Sequence, residues 1–147
     1  MKYRLLFAEF DKETGISKAI IQTDLGIFTG QTILHEEDKD IASNFQGCMY
    51  AETRAVTNYV KEKCRILNIE IKTLSNLLDN LKQLRCYNAD NKEMRFIFNT
   101  LNKKQKRYEK LKNQIIMVEE NLYRQMRDYR QEHEAFMKKI DKKESAE

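Results

Sequence analysis

Apolar residues recur at alternating steps of four and three through the second half of the chain, the repeat that keeps one seam of an α-helix turned toward a partner helix. A first block holds Val60, Cys64, Leu67, Ile71, Leu74, Leu78 and Leu81. A second holds Met94, Ile97, Leu101, Tyr108, Leu111, Ile115, Val118, Leu122, Tyr129 and Phe136. The spacing predicts two long helices, over residues 44–85 and 91–140. Lys104, Gln125 and Glu132 occupy seam positions of the second helix, where polar side chains weaken packing but fix register. A second, patchier stripe accompanies each seam: Ile66, Ile69, Leu77 and Leu84 on the first helix, and Phe98, Ile116, Met126 and Met137 on the second.

The first third follows a different rhythm. Residues 3–10 are rich in apolar and aromatic side chains, "DKETG" is a turn, "KAIIQT" resumes the pattern, "DLG" turns again, and residues 27–34 form a third run. This predicts a three-stranded antiparallel β-meander. Gly30, inside the third strand, marks a bulge or a close backbone approach. Beyond the loop "HEEDKD", Ser43 with Gln46 three residues on is a capping box that opens the first helix. Gly47 in its first turn costs about 1 kcal/mol relative to alanine, yet lets a strand or an aromatic ring come close. Met49, Val56 and Tyr59 sit off the later seam, so packing against the sheet is expected to give way there to packing against the second helix.

"CYNAD" breaks the helical pattern, and Asp90 with Glu93 supplies a second capping signal. So short a connection predicts an antiparallel coiled-coil hairpin. The fold class is therefore α+β. Residues 1–43 form the meander and acidic loop, 44–140 the hairpin and 141–147 a frayed tail, all folded as one unit. A two-helix hairpin uses one stripe per helix, so the leftover apolar surface predicts a homodimer or higher oligomer, through a four-helix arrangement. Leu67, Ile71, Leu74, Leu78, Leu101, Leu111, Ile115 and Leu122 are the expected hairpin and oligomer seam.

Composition sharpens this picture. The chain has no proline and four glycines, at positions 15, 26, 30 and 47, so backbone punctuation is confined to its first third. Charged residues make up 34% against 41% hydrophobic, which suits helices that expose most of their circumference rather than a thick core. No run approaches the roughly 20 apolar residues a bilayer span needs. The start, "MKYRLLFAEFDKE", is too short in apolar residues and too acidic for a signal-peptide core. A cytoplasmic location is expected. Cys48, Cys64 and Cys86 are odd in number without CxxC spacing, so neither a redox disulfide nor a zinc site is expected, and Cys64 reads as a small apolar seam residue.

Charge supplies the candidate chemistry. Residues 92–112 hold eight basic side chains and two acidic ones. Within this run Lys103, Lys106, Arg107 and Lys110 lie mostly off the seam and are candidates to grip nucleic-acid phosphates or an acidic partner. The bland alternative is a solvated face that keeps a coiled coil soluble. Residues 1–44 carry five basic and eight acidic side chains, whereas residues 91–147 carry fifteen and ten, a polarity that suits aligning protomers or steering a partner. Glu36, Glu37, Asp38 and Asp40 make an acidic loop suited to contacting a basic partner; it lacks the alternating ligands and central glycine of a calcium loop, so no metal is expected. His35 and His133 have no serine or cysteine partner at recognisable spacing, and no glycine-rich phosphate cradle exists, so no catalytic residue and no cofactor is assigned.

The stretch "GIFTGQTILHEEDKDIASNFQGCMYAETRAVTNYV" combines Thr29-Gly30, a His35/Asp38 loop and a helix opening near Gly47 with Ala51, Glu52, Arg54 and Ala55. It resembles small proteins of phages and mobile elements of low-GC Gram-positive bacteria. That resemblance implies a host-interaction role, including one that counteracts host defence. The strand-loop-helix order also resembles part of the double-stranded-RNA-binding fold, but only Arg54 stands where that fold carries a lysine cluster. The leading expectation is a non-enzymatic protein that binds, and in one form inhibits, a host protein or nucleoprotein complex. The alternatives are a nucleic-acid-binding protein using the basic segment, and a phage assembly or scaffolding factor. No membrane and no small-molecule substrate is implied.

Overall fold

The computed structural model describes residues 2–33, 44–84 and 92–145. It is an α+β chain: strands β1 (Arg4–Asp11), β2 (Ile16–Thr23) and β3 (Gly26–Ile33), then helices α1 (Asn44–Gln83) and α2 (Lys92–Ser145). The strands form an antiparallel meander in the order β1-β2-β3. β2 starts two residues ahead of "KAIIQT", because Gly15 adopts φ 70 and donates its N–H to the Asp11 carbonyl at 2.8 Å, closing the first turn early. α2 continues to Ser145, through most of the segment expected to fray. The capping residues Ser43 and Asp90, and Cys86, lie outside the described residues.

The chain divides into two compact units, Met1–Tyr59 with Met117–Glu147, and Val60–Ile116. The division falls inside α1, between Tyr59 and Val60, where the sequence places the first residue of the helical seam.

In the first unit the buried face of the sheet is built from small side chains. Ser17 pairs across strands with Thr32, Ala19 with Gly30, and Ile21 with Phe28, and all but the half-buried Phe28 are buried. α1 answers with Gly47, Ala51, Ala55 and Tyr59, which steps of four place on one helical face. Small against small lets backbone approach backbone. A Cβ on Gly30 would fall inside van der Waals contact with the Ala51 carbonyl oxygen and the Ala55 nitrogen, and 2.9 Å from the Arg54 carbonyl carbon. A Cβ on Gly47 would collide with the Ser17 hydroxyl and come within 3.2 Å of the Phe10 ring. Gly30 thus marks a close approach, and the sheet's irregularity lies in β1 instead, between Leu5 and Phe7.

Where the helix passes beyond its small residues, Tyr59 fills the space. It is buried with Ile21 and Ala55, flanked by Phe28 and Val56. Its ring sits 5.4 Å from that of Phe28 at 54°, and its hydroxyl donates to the Asp24 carboxylate in the β2–β3 turn. Burying a side chain of this size contributes about 2–3 kcal/mol. The Asn58 amide donates to the Thr29 carbonyl at 2.8 Å, so α1 satisfies part of the free β3 edge.

In the second unit the buried residues come from both helices. Leu78, Met94 and Leu101 form a buried cluster, with Ile71, Leu74, Leu81 and Ile97 packed against it. Val60, Cys64 and Leu67 are buried as well. Lys104, polar at a seam position, reaches Glu70 of α1 at 2.6 Å. Both side chains are partly exposed, so the ion pair contributes about 1 kcal/mol or less and acts mainly on register. No helix among the described residues is long and apolar enough to cross a membrane.

Candidate functional site

The apolar surface left after both units have packed is the feature most open to function. Six of the eight second-stripe residues, Ile69, Leu77, Leu84, Phe98, Ile116 and Met137, are between 42% and 56% exposed. Ile66 and Met126 are half-buried. Of the seam residues, Leu67, Leu78, Leu101 and Leu122 are buried, and Ile71, Leu74, Leu111 and Ile115 are half-buried. Leu67, Ile71, Leu74, Leu78, Leu101, Leu111 and Ile115 belong to the second unit and Leu122 to the first. The seam loses its cover at Val118 and Phe136, which are exposed.

The basic candidates Lys103, Lys106, Arg107 and Lys110 all lie on α2 in the second unit, all exposed. None is ion-paired or hydrogen-bonded through its side chain among the described residues, whereas Lys104 in their midst is held by Glu70. Four exposed cations along about two helical turns make a solvent-facing positive strip. The acidic loop candidates Glu36, Glu37, Asp38 and Asp40 lie outside the described residues, as do His35 and the side chain of His133.

A second feature lies in the first unit and escapes any reading of the sequence by period. The irregularity between Leu5 and Phe7 shifts the phase of β1, so that Leu5 pairs with Ile21 on the helix-facing side and Arg4 with Gln22 on the other. Strand alternation then turns Tyr3, rather than Arg4, toward α1. The Tyr3 hydroxyl donates to Glu52 Oε1 at 2.7 Å. That bond, with burial and the carboxylate's charge behind it, pushes the Tyr3 hydroxyl up to about 12. Around the pair an open groove of about 310 Å³ is lined by Tyr3, Met49, Glu52, Thr53, Val56 and Val118. The signal available in the sequence was Glu52 itself, the first acidic residue of α1 and ten residues ahead of the next, Glu62. The bulge that brings Tyr3 to it leaves no mark in composition.

The two described thiols, Cys48 and Cys64, offer little chemistry. Burial pushes Cys48 up, aided by nearby Glu9, and burial pushes Cys64 up against the opposing pull of Lys112. Both shifts move away from the thiolate that a nucleophile or redox centre needs. Among the described residues no group of three His, Cys, Asp or Glu side chains is placed to hold a metal ion. Comparison with protein-family models, with curated proteins and with solved structures finds no match.

Proposed function

We propose that this chain is a non-enzymatic interaction protein that works through the apolar stripes its helices leave uncovered, assembling with itself and with a host protein or nucleoprotein. The observation that carries the reading is the exposure of Ile69, Leu77, Leu84, Phe98, Ile116 and Met137, six large apolar side chains from the second stripes of the two helices. Isolated exposed leucines are ordinary, but aligned ones mark docking surfaces. An antiparallel coiled hairpin is the scaffold we infer. In its support, Glu70 meets Lys104, whereas Ile71, Leu74 and Leu78, further along α1, share a cluster with Met94, Ile97 and Leu101, which come earlier in α2. The resemblance to phage and mobile-element proteins directs the reading to a host target and to inhibition as the outcome.

Pull-down from host lysate, with and without nuclease, tests this. A protein partner retained after nuclease, and lost when Ile69, Leu77 and Phe98 are replaced by serine, is expected. No retained partner, or one indifferent to the serine variant, contradicts it.

Nucleic-acid binding is the second reading, favoured by Lys103, Lys106, Arg107 and Lys110, which are exposed and have no partner among the described residues. Their partners would be phosphates, so binding would be salt-dependent and blind to base sequence. Replacing all four with glutamine is then expected to abolish binding to DNA or RNA at about 50 mM salt. Replacing them singly should flatten the log-affinity against log-salt slope by about 0.7–0.9 for each phosphate no longer neutralised. Unchanged affinity in a folded variant leaves the strip as a solvated face.

A further inference from the structure

Resting on the interaction reading above, the geometry points to the groove between Tyr3, just ahead of β1, and the α1 and α2 segments of the first unit as the seat of a lysine side chain presented by a partner protein. The groove is apolar on its walls and anionic at one point. Met49, Val56 and Val118 supply a surface for an aliphatic stem, and Glu52 supplies a carboxylate. At about 310 Å³ the groove stands at the small end of the range for ligand sites, enough for one long side chain rather than a helix or a cofactor.

Charge complementarity selects the occupant. Among the described residues no lysine or arginine pairs with Glu52, and its one hydrogen bond is the Tyr3 hydroxyl on Oε1. Among the described residues no donor reaches Oε2, which can accept one from a ligand. The Thr53 hydroxyl donates to the Met49 carbonyl at 3.0 Å, so its lone pairs are left to accept as well. A lysine ammonium, a compact charge with three donors on a four-carbon stem, matches one carboxylate oxygen, one hydroxyl and apolar walls. A guanidinium gains most from a carboxylate that offers both oxygens to its fork, and here Tyr3 engages one of them. A neutral aliphatic chain would cover the walls but leave the carboxylate uncompensated.

The test is a chemical-shift titration of the full chain with N-acetyl-lysine methylamide, set against the norleucine and arginine analogues. Saturable shifts at Thr53, Val56 and Val118 are expected with the lysine probe, at a dissociation constant on the order of 1–10 mM, the range for so small a ligand. Binding is expected to weaken about tenfold for norleucine, to weaken similarly in E52Q, whose amide oxygen keeps the Tyr3 bond and so the fold, and to persist in Y3F. Equal response to norleucine, tighter binding of arginine, indifference to E52Q, loss in Y3F, or no saturable shift would each overturn the assignment. A host partner captured equally by wild type and E52Q removes the groove as its seat while leaving the interaction reading intact. Selective lysine binding with no partner captured does the reverse.

Discussion

At Gly30 the helix and the sheet meet with backbone atoms on both sides, so there is nothing flexible to move aside. Gly30→Ala is expected to destabilise the protein by about 3 kcal/mol, the upper part of the overpacking range, read as a lower denaturation midpoint at unchanged slope. Gly47→Ala meets a rotatable serine and gains helix propensity, so it should cost less. A larger loss at Gly47 than at Gly30 would contradict this packing. Tyr3 gives a pH prediction. Its hydroxyl is raised from 10.0 to about 12 because it donates to a carboxylate, so its contribution to stability is fully present below pH 10 and is lost as pH climbs toward 12. The Tyr3 ring resonances should titrate near 12 in the wild type and shift little in the pH range where exposed tyrosines ionise; a midpoint near 10 would mean the bond to Glu52 is absent in solution. Glycine in a strand and in a helical turn was readable as a sign of close approach, since only a missing side chain explains it cheaply. The partnership of Tyr3 with Glu52 was not, because it joins residues 49 apart through a one-residue slip in β1.

Among the elements, the helices were the most legible, because a four-three repeat is a direct consequence of seam packing and persists for many turns. Cys64, Leu67, Leu78, Met94 and Leu101 are buried where that repeat puts them. The end of α2 was not legible. "DKKES" reads as a solvated tail, yet it holds neither glycine nor proline, Lys142 and Lys143 sit in the last turn where the helix dipole favours cations, and the Ser145 hydroxyl donates to the Asp141 carbonyl at 2.9 Å. Strand limits shifted for local reasons too, as at Gly15, whose left-handed backbone ends the first turn sooner than the polar run suggests. The seam supports a mutational prediction. Leu78→Asp places a charge in the cluster of Met94 and Leu101 without a partner and is expected to cost several kcal/mol, whereas Leu77→Asp, one residue along on the exposed stripe, should leave the melting temperature nearly unchanged. Equal effects at the two positions would mean that the seam is misassigned.

For the whole molecule, the polar and apolar surfaces divide the possible partners between them. On the two readings proposed above, the exposed strip at Lys103, Lys106, Arg107 and Lys110 would answer to polyanions and to salt, whereas the exposed side chains of Ile69, Leu77, Phe98 and Met137 would answer to apolar faces and be nearly salt-blind. In the second unit each helix gives residues of one stripe to the buried cluster and leaves residues of another exposed, which is what the interaction reading rests on. Self-assembly is its simplest consequence, because the same surface exists on every copy and a two-fold arrangement covers it twice. Light scattering from the purified protein at micromolar concentration measures this directly. A mass of at least twice the 17.6 kDa of one chain, unchanged between low and high salt, is predicted. A mass of 17.6 kDa at every concentration tried would contradict it, and would leave the exposed stripes without the role proposed for them in self-assembly.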